Sequence, residues 1–181
     1  MKYILATDSF KGCMSSAEVE DIIAGVLEAK GIDTVCLPMS DGGDGMLATF
    51  TTATGGTLEP VYIHDLMMRR TDAHYGVTPD GTAIVEVAQA CGLSLIKEEE
   101  RNPMRATTYG VGELLSRAIK RGCRNFIIGL GGTATSDVTA GMFCISGTEL
   151  IPMPMAHTPN TLLSSVVKRV ESFLLNTVPR M

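Results

Sequence analysis

The sequence predicts an α/β fold in which a parallel βαβ unit is followed by a second, mixed α/β domain. Three observations lead to this prediction. Short apolar runs alternate with helical periodicity in the first 50 residues, two strand-like segments separated by a turn follow, and a second periodic segment and apolar run precede a glycine-rich stretch. With 181 residues, 45% hydrophobic and 19% charged, the chain is too apolar to be disordered and has the length of one domain or parts of two.

The first unit begins with a predicted strand over residues 3–6. A helix follows, because Ser15 and Glu18 have the spacing of a capping box and apolar residues then recur on one helical face. Gly31 is the expected end of this helix, and a second strand covers residues 34–37. Since the crossover connection is a helix, we expect the two strands to be parallel. A further helix is predicted over residues 47–52.

The middle of the chain has the pattern of a second domain. Segments 57–64, 73–77 and 83–87 read as strands, and the last two flank a turn at residues 79–81, which predicts an antiparallel hairpin. A helix over residues 108–120 ending before Gly122 and a buried strand over 126–130 follow. The predicted organisation is residues 1–60 for part of the first domain, 61–146 for part of the second, and 147–181 for a divergent tail.

Composition excludes several classes of function. The formal net charge of −5 and the lack of a Lys/Arg run argue against a nucleic-acid partner. No apolar stretch is long enough to span a bilayer, and the first apolar run meets Asp8 too soon for a signal peptide. The five cysteines include no C-x-x-C pair, which favours a reducing compartment over a disulfide framework or zinc site. We therefore expect a cytoplasmic protein; its oligomeric state is left open.

Three polar clusters, at residues 8–11, 41–45 and 131–137, each follow a predicted strand and precede a predicted helix start. In open parallel sheets, ligands bind beyond the carboxyl ends of the strands. A helix N-terminus offers free N–H groups and partial positive charge to an anion such as phosphate. The sequence therefore predicts an anion-binding site at this rim.

Each cluster also has a simpler interpretation. Asp8 and Lys11 pair a base or metal ligand with an anion clamp, or belong to a polar turn with a surface lysine; Phe10 argues against the D-x-D nucleophile of phosphatases. Asp41 and Asp44, which are separated by two glycines, are candidate Mg²⁺ ligands. The simpler interpretation is that residues 41–45 form a tight turn.

The third cluster contains a weak dinucleotide fingerprint. Residues 129–134 match G-x-G-x-x-A and Glu149 lies twenty residues beyond, but the segment before Glu149 is not strand-like. A loop ending in Ser136 and Asp137 suits phosphate or Mg²⁺ equally well. Outside the clusters, Arg105 is a candidate for bidentate contact with a carboxylate or phosphate. A solvated surface role is expected for Arg69 and Arg70, and the three scattered histidines are not expected to be catalytic.

Five segments in order resemble the bacterial glycerate kinases, of the glycerate 2-kinase type. They are D-S-F-K-G at 8–12 with S-A-E-V at 16–19; P-M-S-D-G-G-D-G at 38–45; E-V-A-Q-A-C-G-L at 86–93; N-P at 102–103 through T-T-Y-G-V-G-E-L at 107–114; and I-G-L-G-G-T-A-T-S-D at 128–137. The resemblance implies ATP-dependent, Mg²⁺-assisted phosphorylation of D-glycerate, usually at the 2-hydroxyl. It also implies two α/β domains, the first Rossmann-like and here incomplete.

The resemblance assigns roles to residues of the clusters. Asp8, Lys11 and Asp41 are the implied catalytic residues, Lys11 neutralising the moving phosphoryl group or the glycerate carboxylate, and Asp44 and Asp137 are implied metal ligands. Substrate or phosphate contacts are implied for Ser9, Gly42, Gly43, Arg105, Thr107, Thr108, Gly131, Gly132, Thr133, Thr135 and Ser136.

The end of the chain departs from the family pattern. Val138 and Thr139 replace a glycine pair, and we expect the resemblance to stop at Met142. Codons for residues 152–156, read from the third base, contain a family-like Ala and Gly, which predicts a frameshifted tail on a truncated glycerate kinase. Truncation would expose strand edges and leave the ATP site incomplete. Two alternatives therefore remain: an inactive remnant, and a nucleotide- or dinucleotide-binding module built on residues 129–134.

Overall fold

The computed structural model describes residues 2–10, 12–137 and 140–143. These form six strands and five α-helices: β1 Lys2–Leu5, α1 Ser16–Glu28, β2 Asp33–Cys36, α2 Met46–Ala53, β3 Thr57–His64, β4 Arg70–Val77, β5 Thr82–Glu86, α3 Ala88–Cys91, α4 Tyr109–Arg121, β6 Asn125–Gly129 and α5 Ala140–Phe143. Short 3₁₀ turns cover Leu93–Leu95 and Glu98–Glu100. The predicted α/β class is confirmed.

The predicted βαβ unit is present. β1 and β2 pair in parallel as a two-stranded sheet, with Lys2 opposite Asp33 and Leu5 opposite Cys36. The capping box begins α1 as predicted, because the Glu18 side chain accepts from the Ser15 N–H and the Ser15 hydroxyl accepts from the Glu18 N–H. Gly31 has a φ of 72° in the turn just after the C-cap at Ala29, which a glycine adopts without strain.

The second sheet has four strands in the order β3-β4-β5-β6. β3, β4 and β5 are antiparallel neighbours, which confirms the predicted hairpin, and β6 returns parallel to β5 after the crossover through α4. α4 ends at Gly122 as predicted, with a φ of 107° at that glycine.

Helices cover both faces of this mixed sheet. In β5, Ala83, Ile84 and Val85 are all fully buried. Ile84 packs with Met46 and Leu47 of α2. Ala83 and Val85 belong to the larger core, which includes Val111, Leu114 and Ala118 of α4. The strand is buried on both faces, and for this reason it reads in the sequence as a continuous apolar run.

The first unit buries much less of its apolar surface. Val19 and Ala24 of α1 are buried, whereas Ile22 and Val26 on the same helix are more than half exposed, and Ile4 of β1 is 67% exposed. The apolar stripe that predicted α1 therefore faces the solvent in part. Among the helices of the described residues, none has the length and apolar character needed to cross a membrane.

Candidate active site

The first two polar clusters lie side by side because β1 and β2 are paired. Backbone hydrogen bonding continues past the strands, from the N–H of Leu37 to the carbonyl of Leu5 (2.8 Å) and from the N–H of Met39 to the carbonyl of Thr7 (3.0 Å). The loop that begins at Asp8 therefore lies beside the segment that leads from β2 to Asp41.

The second and third clusters are in direct contact, although their strands belong to different sheets. The N–H of Gly131 donates to the carbonyl of Gly42 at 2.9 Å. A Cβ placed on Gly131 would lie 2.7 Å from the Cα of Gly43, and one placed on Gly129 would lie 2.7 Å from the carbonyl oxygen of Gly42. Glycine at 129 and 131 is thus required for the approach of the two backbones.

A fourth segment completes the contact. Gly92 and Thr133 form a β-bridge, Leu93 donates its N–H to Gly132 at 3.2 Å, and Ala134 donates to Cys91 at 2.8 Å. The chain after β6 therefore pairs with residues 91–93 instead of starting a helix at the glycines. A dinucleotide fingerprint needs a helix at this point, so residues 129–134 lack the context that it requires.

Glu86, at the carboxyl end of β5, binds the backbone at the end of the second cluster. Its buried carboxylate accepts the N–H groups of Leu47 (2.7 Å) and Gly45 (3.3 Å), which are the first free donors of α2. Burial raises the pKa of the Glu86 carboxyl, the charge of Asp44 adds to the rise, and the two N–H donors oppose it. A carboxylate, and not a free anion site, therefore occupies the start of α2.

Asp137 has the equivalent position at the start of α4. Its Oδ2 accepts the N–H and the hydroxyl of Thr108 (2.7 and 2.9 Å), the hydroxyl of Thr107 (3.2 Å) and the N–H of Gly141 (3.2 Å). Its Oδ1 is buried and has no hydrogen-bond partner among the described residues. Asp137 therefore joins the third cluster to the Thr107–Thr108 segment.

The donors expected for phosphate are largely engaged within the protein. Gly42 donates its N–H to the Ser40 hydroxyl (3.3 Å), Gly43 to Asp41 Oδ1 (2.9 Å), and Gly131 to Gly42. The starts of α1 and α2 are capped by side chains as well. The glycines at 42, 43 and 131 thus bring the loops together and use their N–H groups within the protein.

Most predicted site side chains are accessible at this rim. Asp8, Asp41, Asp44 and Ser136 are exposed, and Ser9, Thr133 and Thr135 are partly buried. Asp8 Oδ1 accepts the N–H of Ser9 at 2.7 Å. Arg105 is exposed on a turn that also involves Asn102. Lys11, Val138, Thr139 and the tail from residue 144, including the region of the predicted frameshift, lie outside the described residues.

Comparison with known proteins gives the family. The family model described as "Glycerate kinase family" matches residues 3–162. The chain belongs to the glycerate kinase family. The expectation that the family likeness ends at Met142 is therefore wrong, because residues 147–162 of the tail fall inside the match.

Curated relatives agree with this assignment. The chain is 38% identical over 154 residues to a glycerate kinase of Haemophilus influenzae and 37% identical over 153 residues to the glycerate 2-kinase of Escherichia coli K12. It covers 41% and 40% of those proteins, and the alignments cover 83% of this chain. A solved structure described as a glycerate kinase 2 from Salmonella typhimurium LT2 is similar with a TM-score of 0.67 at 37% identity, over 81% of this chain and 40% of that one. The chain thus spans about 40% of the length of these glycerate kinases.

Mg²⁺ in a kinase is typically held by one or two carboxylates together with phosphate oxygens and water. Within the described residues, no three acidic, histidine or cysteine side chains are grouped to hold a metal alone. Asp44 is exposed. A Cβ placed on Gly132 would lie 2.6 Å from Oδ1 of Asp44, so this carboxylate faces the third cluster. This arrangement fits a metal shared with a bound triphosphate.

Three features of this member of the glycerate kinase family were not found by sequence reasoning. The sequence shows Glu86 only as part of a motif. A carboxylate at the end of an apolar strand is nevertheless a signal of a structural contact, since a buried charge needs hydrogen-bond partners. Arg69, expected to be solvated, is half exposed and joins Asp65 (2.7 Å) to Glu100 (3.2 Å). His64 contacts Glu113 at 3.1 Å and so links β3 to α4.

Proposed function

We propose that this chain provides one wall of an active site that phosphorylates D-glycerate with ATP and Mg²⁺, giving a phosphoglycerate, in particular 2-phosphoglycerate. The observation that carries the proposal is the contact of Gly131 with Gly42, which joins the acidic loop at 41–45 to the hydroxyl-bearing loop at 131–137. The pairing of β1 with β2 adds the Asp8 loop beside them. Family membership supports the choice of substrate. The chain spans about 40% of its relatives, so the proposal concerns the part of the site that these residues build.

Phosphoryl transfer depends on positioning and on neutralising charge, with little covalent chemistry for the protein. The acceptor hydroxyl of glycerate needs a base, and the exposed carboxylates of Asp8 and Asp41 are the candidates. Each of them has one oxygen oriented by a backbone N–H, from Ser9 and Gly43 respectively, which holds the carboxylate in place. Lys11, in the same loop as Asp8, would neutralise the transferred group.

The substrate anions would be held by side chains. Because the N–H groups of Gly42, Gly43 and Gly131 are engaged, we take the hydroxyls of Thr133, Thr135 and Ser136 as candidate donors in the third cluster. Arg105 is suited to the glycerate carboxylate or to a phosphate, since guanidinium groups bind both in a bidentate manner. Asp44 would be a ligand of Mg²⁺, and the bound cation would supply positive charge against the nucleotide phosphates.

A coupled assay of ADP release from ATP, Mg²⁺ and D-glycerate tests the proposal, with ³¹P NMR to identify the phosphorylated hydroxyl. Asp41→Asn should reduce turnover by about 100-fold or more if Asp41 is the base. Asp33→Asn is the matched control, because Asp33 is exposed at the opposite end of β2. Turnover that needs no D-glycerate would contradict the proposal. Equal turnover in both variants would exclude Asp41 as the base and leave Asp8.

Binding without turnover is the second candidate function. It is favoured by the open apolar surface of the first unit, where Ile4 is 67% exposed and Ile22 and Val26 are more than half exposed. In this case ATP with Mg²⁺ raises the melting temperature, while ADP release stays at the background level.

A further inference from the structure

An open cavity of about 460 Å³ lies between the edge strand β3 and the last turns of α4. It is lined by Pro60, Val61, Tyr62, Tyr75, Arg117, Lys120 and Arg121. α4 has 13 residues and is therefore about 20 Å long. Since Thr108 and Asp137 meet at its start, the cavity at its end is separate from the candidate active site.

The cavity concentrates positive charge on an acidic protein. Arg117, Lys120 and Arg121 share one face of α4, because residues three and four apart on a helix are neighbours. Arg121 pairs with Glu59, while Arg117 and Lys120 form no ion pair within the described part of the chain. The chain as a whole carries a net charge of −5. Two unpaired cations therefore face a concave surface.

Aromatic rings provide the rest of the lining. Tyr75 is only 5% exposed; burial raises the pKa of its phenol, and the nearby charge of Arg121 opposes the rise. Tyr62 is about half exposed, and the guanidinium of Arg70 lies over its ring, 5.5 Å from the centroid. A fourth cation is thus held beside the cavity by a ring that also lines it.

Helix stability alone does not account for this arrangement. Basic residues in the last turn of a helix, here Lys120 and Arg121, interact favourably with the helix dipole. Arg117 lies one turn earlier, where this effect has largely decayed, and the dipole requires neither a cavity nor tyrosines.

We propose that this cavity binds a small organic phosphate, its phosphate on Arg117 and Lys120 and its organic part against Tyr62. Guanidinium groups bind phosphate in a bidentate manner, and tyrosine rings pack on flat or apolar groups. The cavity volume lies within the range of small-molecule sites, which is about 300–1,000 Å³. The site is independent of the proposed kinase reaction, which it neither supplies nor needs.

Isothermal titration of the full chain with phenyl phosphate, without Mg²⁺, ATP or glycerate, tests the proposal. Arg117→Gln with Lys120→Gln should weaken binding about tenfold or more, because two charge-assisted contacts are lost. Lys97→Gln with Arg101→Gln removes the same charge from another exposed segment and should change the Kd by less than twofold. All four residues are exposed, so the melting curves of both variants should match that of the wild type.

Two further measurements identify where the probe binds. Tyr62→Leu should weaken binding of phenyl phosphate more than that of inorganic phosphate, since only phenyl phosphate has a ring to pack. Asp41→Asn should leave binding unchanged, because it alters only the candidate active site. Absence of binding, equal weakening by the two double variants, or loss of binding in Asp41→Asn would each overturn the proposal.

Discussion

The N–H of Gly131 donates to the carbonyl oxygen of Gly42 at 2.9 Å, and this hydrogen bond joins loops that follow strands of two different sheets. Neither residue has a side chain. A Cβ on Gly131 would lie 2.7 Å from the Cα of Gly43, and Gly42 has a φ of 92°, a conformation that disfavours residues with a side chain. The contact therefore fixes the distance between the acidic loop and the hydroxyl-bearing loop.

Gly131→Ala should separate these loops. Its Cβ would lie 2.7 Å from the Cα of Gly43 and 2.9 Å from its nitrogen, so backbone must move. We expect a loss of about 1–3 kcal/mol in the free energy of unfolding, the usual cost of overpacking, and a larger relative loss of any ATP binding. Urea unfolding measures the first, and nucleotide titration measures the second.

Gly25→Ala is the control for this substitution. Nothing lies within 4 Å of a Cβ at Gly25, which is inside α1. Alanine there should stabilise the protein by about 0.5–1 kcal/mol through helix propensity. If Gly131→Ala is as well tolerated as Gly25→Ala, the close contact of the loops is not a requirement of the fold.

Local signals in the sequence predicted most of the elements. The capping box at Ser15 and the terminating Gly122 act within one helical turn, and for this reason α1 and α4 were predicted almost to the residue. The capping of α2 depends instead on Glu86, 39 residues from Leu47. No local pattern contains that contact. The sequence therefore predicts that the start of α2 is open to phosphate, whereas in the structure the buried carboxylate of Glu86 occupies it.

Glu86→Gln should change how stability depends on pH. The pKa of Glu86 is raised above its ordinary value of 4.5 in the folded state, so the folded protein takes up this proton at higher pH than the unfolded chain does. The contribution of Glu86 to stability is therefore fully present below pH 4.5 and is lost as pH rises through the folded-state pKa. The stability of the wild type minus that of Glu86→Gln should increase from pH 7 to pH 4.5.

Denaturant unfolding at several pH values checks this prediction. Glu99→Gln is the matched control, since it removes one carboxylate from an exposed turn. If the difference between wild type and Glu86→Gln decreases on acidification, the direction assigned to the pKa is wrong.

Met68 has a φ of 64°, a backbone conformation that costs about 1–2 kcal/mol for a residue with a side chain. It is half exposed in a turn where its N–H donates to the carbonyl of Asp65. Met68→Asn should raise the free energy of unfolding by about 0.5–1 kcal/mol, because asparagine tolerates this conformation with little loss of packing.

Thermal unfolding of Met68→Asn beside Met104→Asn provides the comparison. Met104 is 86% exposed and does not have a positive φ. An equal gain in stability in both variants would mean that the stabilisation does not come from relief of the backbone conformation at Met68.

Cys91 should resist alkylation in the folded protein. Burial, with smaller contributions from the charges of Asp137 and Asp65, raises the pKa of its thiol to about 12. At pH 8 only about one thiol in ten thousand would be ionised, and the thiolate is the reactive form. Iodoacetamide followed by mass spectrometry should label the exposed Cys13 and leave Cys91 unmodified until denaturant is added. Labelling of both at similar rates would show that the loop beside Cys91 opens readily.

Substitutions of Asp137 can separate its capping contacts from a role in metal binding. Asp137→Ala removes the acceptor of the Thr108 N–H at the buried start of α4, and should cost about 1–2 kcal/mol in the free energy of unfolding. Asp137→Asn keeps an acceptor oxygen but loses the charge, so it weakens both the hydrogen bonds to Oδ2 and the interaction with the helix dipole, the latter by about 0.3–1 kcal/mol. If the buried, unpartnered Oδ1 also contributes to Mg²⁺ binding, Asp137→Asn should weaken Mg²⁺-dependent ATP binding while remaining more stable than Asp137→Ala. Unfolding curves and ATP titrations with and without Mg²⁺ distinguish these effects. If Asp137→Asn binds ATP with Mg²⁺ as the wild type does, the role of Asp137 is confined to joining the third cluster to α4.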